Sequence, residues 1–93
     1  MRSIDVEVRN ESGLHARPAA AFVRAAARFV STVRLANVTL GRPSADGKSI
    51  VGILTLGVEK GHVLRVVTEG TDEDRAVETL RDLLASRPEK AGQ

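Results

Sequence analysis

Residues 13–20 read Gly13-Leu14-His15-Ala16-Arg17-Pro18-Ala19-Ala20, and their division between turn and helix sets the order of everything around them. Pro18 suits the first turn of a helix, because the amide proton it lacks would have no intrahelical partner there. A helix therefore starts at about residues 16–18, with His15 at or just before its N-cap. Downstream, apolar side chains fall at Ala19, Phe22, Val23, Ala26 and Val30, the stripe of an amphipathic helix, with Arg24 and Arg28 off it. Upstream, Ile4, Val6 and Val8 alternate with Ser3, Asp5 and Glu7, the period of a half-buried strand. Asn10-Glu11-Ser12-Gly13 breaks that strand.

Further along, Val33 and Leu35 alternate as a second strand. The alternation resumes out of phase at Val38 and Leu40, which predicts a bulge near Ala36-Asn37. Gly41-Arg42-Pro43 reads as a turn. Ser44 to Gly47 reads as a short or irregular third strand at an edge, because Pro43 cannot donate to a ladder. In Lys48 to Gly57, Ser49 offers an N-cap and Ile50, Ile53 and Leu54 fit a short helix. Ile50 and Ile53 are expected to point inward, Val51 and Leu54 outward. After Glu59-Lys60-Gly61 comes a strand, His62 to Thr68, with Leu64 and Val66 inward and His62 as a surface residue without a role. Thr71-Asp72-Glu73-Asp74 reads as a capping box. Ala76, Val77, Leu80, Leu83 and Leu84 then form the apolar side of a last helix that Pro88 stops. The expectation is one domain over residues 1–88 with a frayed tail at 89–93. Its order is βαββαβα: an α+β, open-faced β-sandwich with three helices on one face of a four-stranded antiparallel sheet.

Composition narrows the function. The apolar share is 42% and the charged share 28%, as in an ordinary globular domain. With no cysteine there is neither a disulfide framework nor a thiolate site. His15 and His62 stand far apart, so no metal centre is expected. Fourteen basic residues against 12 acidic ones, net +2, and only two aromatics argue against a nucleic-acid binder, which needs a clustered basic face or stacking platforms. No apolar run is long enough to span a membrane, and the alternating, charged start MRSIDVEV does not read as a signal peptide. A cytoplasmic location follows as the default. Paired carboxylates with a cleft motif, a nucleophile elbow and a glycine-rich nucleotide loop are all lacking, so an enzyme with its own small substrate is not expected.

The chemistry concentrates at residues 15–17. A helix start presents free N–H groups and partial positive charge, a ready site for phosphate. The same charge disfavours an imidazolium, leaving His15 a neutral nucleophile. Arg17 adds a guanidinium fork able to pair with two phosphate oxygens. A histidine that accepts a phosphoryl group and hands it on fits these three features. A histidine that merely caps a helix, beside a solvated Arg17 and a punctuating Pro18, fits the same residues.

GLHARPAA, followed by Lys48-Ser49-Ile50-Val51-Gly52-Ile53-Leu54-Thr55-Leu56-Gly57, resembles the HPr family of phosphocarriers of the bacterial sugar phosphotransferase system. The likeness runs from the first strand to the last helix. It implies that His15 is phosphorylated on Nδ1 by enzyme I, which draws on phosphoenolpyruvate, and that the phosphate passes to IIA domains without a cofactor. It implies that Arg17 helps to hold the phosphate, while Ser12 and Ala16 lend backbone amides or small-residue access. Ser49 matches a regulatory site for HPr kinase/phosphorylase. Ala16, Ala20, Arg24, Val51 and Leu54 are the candidate partner-binding residues, on a monomer that meets its partners in turn. A nitrogen-related or purely regulatory branch without sugar transport is the alternative. Two departures stand out: the segment Ala36–Gly47 is longer than is usual, and Val51 and Leu54 occupy positions where many relatives carry methionine.

Overall fold

The computed structural model describes residues 1–85. Pro88, the boundary at residue 88 and the tail 89–93 lie outside the described residues. The elements are β1 (Arg2–Glu7), α1 (Ala16–Ala26), β2 (Thr32–Asn37), β3 (Ala45–Asp46), α2 (Ile50–Thr55), β4 (Val63–Glu69) and α3 (Glu73–Ala85). The strands form one antiparallel sheet in the order β1-β4-β2-β3. This is the open-faced βαββαβα sandwich that the periodicities indicate.

Alternation explains which face is covered. Val33 and Leu35 of β2 and Leu64 and Val66 of β4 are buried beneath the helices. They meet Ala19, Phe22 and Ala26 from α1, Ile53 from α2, and Val77, Leu80 and Leu84 from α3. Burying a side chain the size of Phe22 contributes about 1.5–3 kcal/mol relative to leaving it in water, so these few residues dominate the core. Among the described residues, no helix is long and apolar enough to cross a membrane.

Several expectations from the sequence change. No bulge forms near Ala36-Asn37: β2 ends at Asn37, which is fully buried in phase with Val33 and Leu35. Its backbone still pairs with Leu64 of β4, while its carboxamide bonds to neighbouring segments, Nδ2 donating to Leu56 O and Oδ1 accepting from Leu40 N. Val38 and Leu40 lie in the turn that follows and are exposed. Val30 is also exposed, because α1 ends at Ala26 and tighter turns carry the chain through Arg28 and Phe29. Ile50, the first residue of α2, is exposed rather than inward, whereas Ile53 is buried. On α3 the apolar side is narrower than expected, and Leu83 is exposed.

The start of α3 is a lock rather than a simple capping box. Glu73 reaches back, its Oε1 accepting from Gly70 N, and its Oε2 accepts from the N-terminal amine. Asp72 instead accepts from the amides of Val30 and Ser31, each at 3.0 Å, and from the Ser31 hydroxyl. This ties the α1–β2 connection to the start of α3. The Ser31 hydroxyl, helped by those amides, holds the Asp72 carboxyl below its ordinary range. A carboxylate depressed in the folded state contributes stability that is present above the unfolded value and lost as pH falls through the folded one. Asp72→Asn is therefore expected to be less stable at neutral pH and to lose less on acidification, as urea midpoints across a pH series would show.

Candidate functional site

His15 is the N-cap of α1, in extended conformation (φ −118°, ψ 156°), as its place before Pro18 predicts. It does not act as a cap: its side chain makes no capping bond, and no acidic residue occupies the first turn. The helix start therefore keeps its partial positive charge and its unspent amides for an anion. Ala16, immediately after it, has φ +49°, the only positive value for a non-glycine among the described residues. A left-handed alanine costs about 1–3 kcal/mol. The surrounding bonds must pay that cost to hold His15 where it is.

Those bonds come from the loop before β4. Leu14 is buried and its amide donates to Val58 O. Gly13, at φ +62°, lies so close to Val58 that a Cβ there would sit 2.2 Å from its carbonyl oxygen. The two loops are thus pressed together, and the next residue along, Glu59, reaches His15. Its Oε2 lies 3.1 Å from His15 Nε2. With Glu59 ionised, Nε2 carries the ring proton and donates it to the carboxylate, leaving the Nδ1 lone pair bare. The imidazole is about two-fifths exposed, so it is reachable from solvent without a pocket.

Arg17 is exposed in the first turn and makes no ion pair or hydrogen bond among the described residues, so its guanidinium is available to an anion. Ser12 and Arg17 line one cleft of about 420 Å³ between the β1–α1 loop and the end of α3. Ala16 and Arg24 are exposed and Ala20 is half-buried on α1. On α2, which packs against α1, Val51 and Leu54 are exposed as expected and Ile50 joins them. Ser49 is the N-cap of α2, its hydroxyl accepting from Gly52 N at 3.1 Å. Ser49→Ala is expected to lower the unfolding free energy by about 1 kcal/mol, measured by urea denaturation.

Two residues escaped sequence reasoning. Glu59 is 44 positions from His15, and only a tertiary contact unites them. His62 is not a bystander: its Nδ1 lies within 3.2 Å of both Glu59 N and Asn37 Nδ2. No local pattern signals either role. The one available hint is a charged turn enclosed by Gly57 and Gly61.

A bare ring nitrogen on an uncapped helix start, about two-fifths exposed, is able to receive a small anionic group. The comparisons are specific. Residues 2–86 match the family model described as the PTS HPr component phosphorylation site. The chain is 43% identical over 84 residues to the phosphocarrier protein HPr of Haemophilus influenzae, covering 90% of this chain and 95% of that one. It is 40% identical to an HPr of known structure from Thermoanaerobacter tengcongensis, at a TM-score of 0.84 over 90% of this chain and 91% of the other. A structure described as an HPr dimer from that organism matches at 41% identity and a TM-score of 0.67, covering 89% and 92%. The chain spans only 16% to 22% of the length of the multiphosphoryl transfer proteins it also matches. It belongs to the HPr family, the phosphocarriers of the phosphotransferase system, which carry a phosphoryl group rather than turn over a substrate.

Proposed function

We propose that this protein carries its phosphoryl group on His15 Nδ1, taking it from phospho-enzyme I and giving it to IIA domains in the cytoplasm. The observation that carries the reading is the Glu59–His15 pair, which occupies Nε2 and leaves Nδ1 as the nucleophile. In the transfer the Nδ1 lone pair attacks phosphorus. An N–P bond forms as the bond to the donor breaks, and the electron pair leaves with the donor. The Nε2 proton stays in its hydrogen bond to Glu59, so no base has to remove a proton. Donation to the next acceptor is the reverse. Arg17 and the first-turn amides of α1 offset the charge on the phosphoryl oxygens. Their exposure keeps that grip loose enough for release.

Partners dock on the face formed by Ala16, Ala20, Arg24, Val51 and Leu54, extended here by Ile50. A small apolar patch of this kind suits brief exchange between successive partners, and the protein works as a monomer. Ser49 is the regulatory site, modified by HPr kinase/phosphorylase. Phosphate there adds roughly two negative charges at the start of α2, beside the aliphatic side chains that a partner covers.

Incubation with phosphoenolpyruvate, Mg²⁺ and a bacterial enzyme I, followed by intact mass and acid treatment, tests the carrier reading. One acid-labile phosphate per chain is expected. No uptake from a cognate enzyme I would overturn it.

A further inference from the structure

His62 has no part in the transfer chemistry, yet the structure gives its ring a defined state. Its Nδ1 lies 3.1 Å from the backbone nitrogen of Glu59 and 3.2 Å from Asn37 Nδ2. An amide N–H and a carboxamide NH₂ are both donors, so Nδ1 accepts from both and the ring proton sits on Nε2. The turn closes a second time where His62 N donates to Glu59 O at 3.0 Å. Glu59 is thereby fastened to His62 at both its amide and its carbonyl. Asn37, the other donor, is itself fixed: it is fully buried, and it also bonds Leu56 O and Leu40 N. The chain of contacts runs from the buried end of β2, through the His62 ring, to the backbone of the residue whose carboxylate meets His15.

We propose that His62 is a positioning residue for His15, acting through Glu59. Its Nδ1 anchors the 59–62 turn to Asn37, and the anchored turn sets Glu59 Oε2 against His15 Nε2, so that the His15 ring is held with Nδ1 bare. The consequence for transfer rests on His15 as phosphoryl acceptor; the consequence for the ring itself does not.

The test separates the two. Long-range ¹H–¹⁵N spectra of the unphosphorylated protein report both rings in wild type, His62→Leu, His62→Asn, Glu59→Ala and the Glu59→Ala/His62→Leu double variant. Asparagine is chosen because its Oδ1 supplies an acceptor where Nδ1 was. The wild type should show His62 as the Nε2–H tautomer and His15 biased to Nε2–H beyond a free histidine. His62→Leu should remove that bias as fully as Glu59→Ala does, His62→Asn should keep it, and the double variant should match Glu59→Ala. Phosphotransfer should slow about tenfold in His62→Leu, the scale expected of a sub-ångström loss of position, and should not slow further when Glu59 is already alanine. An Nδ1–H tautomer for His62 in the wild type overturns the proposal without any variant. So does an unchanged His15 ring in folded His62→Leu, or effects of the two substitutions that add. If the protein takes no phosphate at all, the carrier reading fails while the ring spectra still decide this one.

Discussion

Replacing His15 with alanine is expected to leave a folded protein that takes up no phosphate. The ring is partly exposed, and among the described residues its one hydrogen bond goes to Glu59, itself largely in solvent. Exposed pairs of this kind contribute about 0–1 kcal/mol, so removing the ring barely touches the core formed by Phe22, Leu35, Ile53 and Leu80. What disappears is the nucleophile. The thermal midpoint should stay within a few degrees of wild type. Intact mass after incubation with phosphoenolpyruvate, Mg²⁺ and enzyme I should show no adduct. An acid-labile phosphate on His15→Ala would place the acceptor elsewhere.

Gly13→Ala is expected to act through folding and function together. The backbone there is left-handed, and an added Cβ would meet Val58 O at 2.2 Å and Glu59 Cα at 2.9 Å. Both obstacles are backbone, so no side-chain rotation relieves them. The strain of a left-handed non-glycine residue combines with displacement of the 58–59 segment, and the loss should reach at least about 2 kcal/mol. The displaced segment carries Glu59, so transfer should slow in whatever fraction remains folded. Urea denaturation and initial transfer rates measure the two effects. A variant as stable as wild type would show that the two loops are not pressed together as described.

Much of this architecture is written in local patterns. The alternation of Ile4, Val6 and Val8, the spacing of Ala19, Phe22 and Ala26, and Pro18 behind His15 each reflect one element meeting one side of the core. Ser49 could be read as an N-cap because its bond to Gly52 spans three residues. The misreadings share one physical origin. Asn37 looks like a break in an apolar alternation, yet it is buried because its carboxamide accepts from Leu40 N in the next turn and donates to Leu56 O, 19 residues away. Val30 continues a helical spacing beyond the residue at which the helix stops. Ile50 matches the apolar spacing of α2, but it sits at the first turn, where little packs over it. The site divides along the same line. His15 and Arg17 could be found in one short motif, whereas Glu59 and His62 acquire their parts only when the loop before β4 folds against the loop before α1.

The measurement that tests the central claim most directly is the position of the phosphate on the ring. Protein labelled with ¹⁵N in histidine, phosphorylated through enzyme I and observed by ¹⁵N and ³¹P NMR, distinguishes the two nitrogens of His15. With Nε2 held by Glu59, phosphorus should be bonded to Nδ1, and Nε2 should retain its proton. Phosphate on Nε2, or on any residue other than His15, would contradict the account.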